Sequence, residues 1–300
     1  MRLIVNADDF GLTGGVNRAI SELHREGVLT SATLMARAGA TEEAIQIALA
    51  TPSLGVGCHV VLVDGEPVLS PRQEIPNLAD PVGGRFRPSP AGFLRWLCLG
   101  WLYQGSRRRW PFHQVAAREI EAEAAAQIAL LKGRGLRLTH IDTHKHVHMF
   151  PAVLRPVLRA ARAAGIRAVR NPFEPAWSRR ATEGAPWIRR MKFSLLRRLE
   201  PAFRRIVAEE GFTTTDGAIG VLATGTLDSK TVSSLLRLAP PGTWELVTHP
   251  GYNDADLALA YTRLLASRQT ERGALETLRK FPGLELISFA HLQAGARPIP

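Results

Sequence analysis

Short apolar runs alternate with amphipathic stretches along almost the whole chain, and this alternation narrows the fold more than any other feature. RLIVNADDFG starts apolar and ends in two acids, an aromatic residue and a glycine, which reads as a buried strand followed by a loop. Residues 14–27 place Val16, Ile20 and Leu23 at helical spacing, with Gly27 suited to the stop. Residues 31–35 are β-rich. Residues 41–51 return to helix, with Thr41 as N-cap and Glu42 and Glu43 in the first turn, where the helix dipole favours negative charge. Further strands are expected over 54–62, 136–142, 166–172, 217–223, 244–249 and 284–289, and further helices over 115–133, 151–164, 187–210 and 254–280. The strands are apolar at both parities, as when both faces are covered. This predicts an α/β fold with about seven to eight mostly parallel strands, in a sheet either open or closed into a barrel.

A chain of 300 residues, 45% hydrophobic, can bury one large core. No internal repeat or interdomain linker interrupts it, so residues 1–300 are expected to form a single domain. Residues 64–92 are rich in Pro, Gly and Asp, and the region 64–115 reads as an insertion or long loop. The net charge of +11 raises the question of anionic partners. The arginines, however, are dispersed over several helices and only three tyrosines are present, so nucleic-acid binding is not expected. Cys58 and Cys98 form no CxxC pair. No apolar run approaches the ~20 residues of a membrane span. Residues 1–7 read directly as a strand, so no signal peptide is expected and the location is expected to be cytoplasmic.

Chemistry gathers at strand ends, where parallel α/β folds build their ligand sites. Asp8 and Asp9 end the first strand, His59 lies in GCHV, THIDTHKHVH closes the strand near residue 140, and His249 ends WELVTH before Pro250 and Gly251. His140, Asp142, His144, His146 and His148 share one parity and would face one side of an ideal strand, about 6.5–7 Å apart. A metal–imidazole bond is only ~2.0–2.1 Å, so at most one or two of them reach one ion, and spacing does not decide which. Histidines with carboxylates suit one divalent metal ion (Mg, Zn, Co, Ni or Mn) with open positions for water and a carbonyl oxygen. The inventory fits metal-assisted hydrolysis of an amide or ester without a covalent intermediate. No GxSxG, GxGxxG or Walker A pattern offers another mechanism.

LIVNADDFG, GCHVVL, THIDTHKHVHMFP and THPGY, in this order from residue 2 to about residue 255, resemble the YdjC-like carbohydrate deacetylases. That family includes chito-oligosaccharide deacetylases and deacetylases associated with hopanoid biosynthesis. The resemblance implies a deformed (β/α) barrel and a metal held by Asp9, His59 and His144. It also implies Asp8 as general base and His249 as candidate acid, by analogy with NodB-type polysaccharide deacetylases. His146, His148 and Arg170 are expected to contact substrate. The expected reaction removes the N-acetyl group from an amino sugar. Hydrolysis of another amide or a phosphoester is the alternative, as is a catalytically inactive binding protein. Residues 93–110, FLRWLCLGWLYQGSRRRW, and the basic segment 189–205 are more similar to the hopanoid-associated branch. An apolar aromatic stretch ending in three arginines would suit an interfacial helix that meets a glycolipid at the inner membrane surface. A helix covering one side of the barrel, or a homodimer contact, is the plainer reading.

Overall fold

The computed structural model describes residues 1–99, 112–182, 184–260, 262–281 and 283–294. In chain order these form β1 (Arg2–Phe10), α1 (Gly14–Arg25), β2 (Ser31–Leu34), α2 (Thr41–Ala50), β3 (Gly55–Val60), α3 (Pro90–Leu99), α4 (Phe112–Gly133) and β4 (Ile141–Thr143). Then come α5 (Pro151–Ala163), α6 (Trp187–Leu196), α7 (Glu200–Glu209), β5 (Gly217–Ile219), α8 (Ser229–Leu238), β6 (Thr243–Thr248), α9 (Ala255–Leu259), α10 (Ala266–Leu275), β7 (Glu285–Leu286) and α11 (Phe289–Ala294). The strand order is β4-β3-β2-β1-β6-β5, with β7 beside the start of β1, and the pairings between named strands are parallel. The sheet curls into a partial barrel. Isolated parallel bridges, Ile141 with Val169 and Ala168 with Thr213, continue it from β4 toward β5.

β1 is central, and every residue after Arg2 is buried, as its apolarity at both parities predicts. α1 caps on Thr13, whose hydroxyl accepts from Val16 N, and buries Val16, Ala19, Ile20 and Leu23 along one face. α5 likewise buries Val153, Leu154, Val157 and Leu158, without a side-chain cap. Each large aliphatic side chain so buried stabilises by about 1.5–3 kcal/mol, and Ile20→Ala would cost about 2–5 kcal/mol. Gly57 permits a close approach: a Cβ there would lie 2.5 Å from His140 Cε1. The bare backbone lets the buried His140 ring stack on Phe289, with centroids 3.9 Å apart.

Register positions the site. β1 and β6 pair without interruption from Arg2–Thr243 to Ala7–Thr248, so Asp8 and His249 emerge at one level. β3 and β4 pair His59 with Asp142 directly. The β1–β2 ladder shifts between Ala7 and Phe10, and Asp9 has a left-handed backbone, φ +63°. That irregularity turns two consecutive acids to different neighbours.

Several elements differ from the sequence expectation. The strand expected over 136–142 is regular only from Ile141, and the one over 166–172 is reduced to bridges at Ala168 and Val169. Pro172 has no N–H to extend that ladder. The His-rich run does not continue as a strand. It turns after Thr143 into a 3-10 segment, His144–Met149, in which Lys145 and His146 are both left-handed (φ +57° and +55°), so the common parity of its histidines is broken. The helix expected over 254–280 divides into α9, α10 and a 3-10 turn, Glu276–Lys280. The loop over 64–92 is held by side chains of α4: Glu123 accepts from the backbone N–H groups of Val68 (2.8 Å) and Leu69 (3.0 Å), and Glu119 from those of Asn77 and Leu78. In the 93–110 stretch, Phe93 and Trp96 are buried against the main core. Residues 100–110 lie outside the described residues. No helix among the described residues is long and apolar enough to cross a membrane.

Candidate metal centre and active-site cavity

The C-terminal ends of β1, β3, β4 and β6 surround a cavity of about 810 Å3 lined by Asp8, Asp9, His144, His146 and His249 among others. At its base three ligand atoms converge. His59 Nε2 lies 3.2 Å from His144 Nδ1 and 3.6 Å from Asp9 Oδ1, and His144 Nδ1 lies 3.3 Å from Asp9 Oδ1. A tetrahedral ion with bonds of ~2.1 Å holds its ligand atoms ~3.4 Å apart, so this triangle has the dimensions of one face of such a site. Asp9 Oδ1 is buried and has no hydrogen-bond partner among the described residues. Such an oxygen is costly unless a cation or donor meets it. Asp142 Oδ1 is 2.7 Å from His59 Nδ1, which fixes the imidazole with Nε2 toward the triangle, the orientation that metal-bound histidines receive from a carboxylate.

Asp8, Asp142 and His59 also cluster, but there the carboxylates already have a cation. Arg170 is fully buried and donates to Asp8 (2.6 and 2.8 Å), to Asp142 and to Glu245 (2.7 Å). The Asp9–His59–His144 triangle is therefore the better cation site. The second oxygen of Asp9 accepts from Arg268 at 2.5 Å. Four buried carboxylates (Asp8, Asp9, Asp142, Glu245) thus share two buried guanidinium groups, Arg170 and Arg268, and a fifth, Glu271, faces His249. A divalent cation at the triangle and a protonated His249 would offset the excess.

The titration shifts follow this charge distribution. Burial works to raise the Asp8 carboxyl, but Arg170, with His59 and His249, holds it well below the ordinary carboxylate range. Burial is likewise overcome at Asp9 by Arg268, His144 and His59. Burial would lower His59, yet Asp142, Asp8 and Asp9 lift it to about 9. This is the electrostatic demand for positive charge at its ring. Glu245 is pushed up to about 7, because burial outweighs its contact with Arg170. His249 is raised despite its burial, chiefly by Glu271 and then by Asp8 and Asp9. Its Nδ1 is 3.5 Å from Glu271 and its Nε2 is 3.8 Å from Asp8.

The structure brings Asp8, Asp9, His59, His144 and His249 together. His146 stands on the cavity wall, its ring pushed toward the neutral form by burial and by Arg170. The other two expected substrate contacts lie beneath the cavity. His148 is buried between Thr143 Oγ1 (2.7 Å) and the Arg170 carbonyl (3.2 Å), and the Arg170 guanidinium faces only carboxylates. The turn after Thr143 is the reason for His148, and Pro172 follows the interrupted strand that carries Arg170.

Residues 2–279 match the family described as YdjC-like protein. The chain belongs to the YdjC-like family. A carbohydrate deacetylase of Brevibacillus brevis is 45% identical over 163 residues, covering 54% of this chain and 56% of that protein. One from Thermoanaerobacter pseudethanolicus is 26% identical over 273 residues, covering 91% and 90%. A chitooligosaccharide deacetylase of Salmonella paratyphi B is 37% identical over 166 residues, covering 55% and 57%. The first curated relatives are thus matched over about half their length. A solved protein of Enterococcus faecalis V583, described as a candidate cellobiose-phosphate cleavage protein, has the same fold: TM-score 0.73, 24% identity, 97% of this YdjC-like chain and 98% of that one.

Arg268, Glu271 and Glu245 were not foreseen, and Asp142 had no role. Glu245 carried a legible signal, a lone charge in the wholly buried β6. Arg268 and Glu271 carried none, since at i, i+3 in a polar helix they look like an ordinary surface pair.

Proposed function

We propose that this YdjC-like protein is a metal-dependent hydrolase that removes the N-acetyl group of an amino sugar. The convergence of Asp9 Oδ1, His59 Nε2 and His144 Nδ1 beside Asp8 and His249 carries this reading. The names of the relatives support the substrate class. Asp9, His59 and His144 would hold one divalent ion. Bound there, it supplies Lewis acidity for the acetamide oxygen and lowers the pKa of water toward ~7.

The remaining work falls to the chain's own groups. Asp8, locked by two bonds from Arg170, presents a fixed acceptor that orients the attacking water and takes its proton. Arg170 keeps that carboxylate ionised. His249, biased toward its protonated form by Glu271, donates a proton to the sugar nitrogen as the C–N bond breaks. Water oxygen bonds to the acetyl carbon, and acetate and a free amine leave. His146, the half-buried Leu12 and the buried Met35 give the acetamide a partly apolar wall.

The test is acetate release, with mass spectrometry of the sugar, from N-acetylglucosamine oligomers incubated with metal-loaded protein. Equal amounts of acetate and free amine are expected, abolished by His59→Ala. A metal-loaded enzyme that released no acetate from any oligomer but cleaved another amide or a phosphoester would overturn the reading.

A further inference from the structure

Helix α6 inverts the usual pattern of a surface helix. None of its residues is buried, and Trp187, Ile188, Met191 and Leu195 are 70%, 47%, 56% and 59% exposed. At ~100° per residue these four positions share one stripe about 100° wide. The opposite side attaches the helix to the body. Phe193 and Leu196 are half-buried there, and the Arg189 guanidinium donates to the carbonyls of Leu222 (3.1 Å) and Thr224 (2.8 Å). The helix is anchored while its apolar stripe has no protein over it among the described residues.

Charge and position indicate what covers it. Residues 184–199 carry five cations and no acid. Lys192 and Arg198 are exposed, and on the helical wheel Lys192 borders the stripe on one side and Arg190 lies toward the other. Long basic side chains beside an apolar stripe can lay their stems on hydrocarbon and reach phosphate with their heads, and tryptophan favours the same boundary. A second copy docked by two-fold symmetry would instead set these cations against one another. The stripe also belongs to the cavity's own face. Arg189 and Phe193 of α6 line the cavity, and Ala260, Thr262, Arg263 and Leu264 line it too, next to Leu259, which is 83% exposed.

We infer that α6 is an interfacial docking helix for an anionic phospholipid surface. Trp187, Ile188, Met191 and Leu195 enter the headgroup boundary, Lys192 and Arg198 meet lipid phosphates, and the cavity opens toward the bilayer. In α3, by contrast, Phe93 and Trp96 are buried in the core. The docking role of α6 is independent of the reaction in the cavity and can fail while the deacetylase reading stands.

The test uses the full chain and sedimenting vesicles, either pure phosphatidylcholine or an equal mixture with phosphatidylglycerol. At low salt the protein sediments with the mixed vesicles and stays in solution with phosphatidylcholine alone. Combining Trp187→Ser, Met191→Ser and Leu195→Ser weakens binding ~10-fold or more by removing the inserted area. Lys192→Glu with Arg198→Glu weakens it in a salt-dependent way and keeps the stripe. Unchanged melting and metal content confirm that the variants are folded. Equal binding by wild type and triple variant, equal binding to both vesicles, or a wild-type dimer that the triple variant abolishes in the absence of vesicle binding would overturn the inference.

Discussion

Asp8 and Asp9 are neighbours in sequence, and both are buried, yet they belong to two regions built on opposite terms. Below the cavity, Arg170 closes a cluster with Asp8, Asp142 and Glu245. At the cavity base, Asp9, His59 and His144 point three acceptor atoms at one another, and Asp9 Oδ1 has no donor. The first region is electrostatically complete apart from Glu245, whose carboxyl drifts up to about 7. The second leaves Asp9 Oδ1 without a donor, the opening that the proposed cation would fill. Burial is similar in the two, so the degree of completion, and not burial, separates support from site.

Removing the closing cation should have the largest effect. Arg170→Met takes the shared guanidinium away from three buried carboxylates, and breaking a buried pair costs about 3–5 kcal/mol. A melt on the soluble fraction should show loss of the cooperative transition or a large fall in Tm. A variant as stable as wild type would mean the lower region is not held by charge. Next is the proposed acid. His249→Asn should retain metal and melt normally but lose about 10²–10⁴-fold in kcat.

A finer contrast comes from α10, which serves both regions' edges through Arg268 on Asp9 and Glu271 on His249. Glu271 is the main group that raises His249. If protonated His249 is the acid, kcat falls as pH rises through its pKa. Glu271→Gln lowers that pKa, so the fall should move to lower pH, with the metal content unchanged. A pH profile identical to wild type would separate Glu271 from the acid.

The smallest effect tests a buried carboxyl with no guanidinium partner among the described residues. Burial pushes Glu174 up to about 7, against bonds from the Leu222 and Gly220 N–H groups and Ser178. The native state then holds its proton more tightly than the unfolded state. Its contribution is present below the ordinary value of 4.5 and is lost as pH rises through about 7. At roughly 1.4 kcal/mol per unit, that is on the order of 3 kcal/mol. Glu174→Gln should remove this part of the slope in melts taken across that range.

What was legible in the sequence follows the same division. The sheet was readable because β1, β3 and β6 are apolar at both parities, and their polar ends mark the rim. Asp9 and His59 stood out as polar residues at those ends, His144 was singled out from its run only by the family resemblance, and the sheet gathers the three. Residues 166–172 resembled a strand, but hydrogen bonding there is limited to two bridges. The turn that sends His146 to the wall and His148 underneath depends on two consecutive left-handed residues, Lys145 and His146, which no glycine announces. The break between α9 and α10 has no Gly or Pro either. Arg268 and Glu271 acquire meaning only when the fold brings them to Asp9 and His249.

The central claim is tested most directly by counting divalent metal in dialysed protein by elemental mass spectrometry, for wild type and for His59→Ala, Asp9→Ala and His144→Ala. One equivalent per wild-type chain and a loss in each variant, with cooperative melting retained, is the result the account predicts. Full metal content in the His59→Ala or Asp9→Ala protein would contradict it.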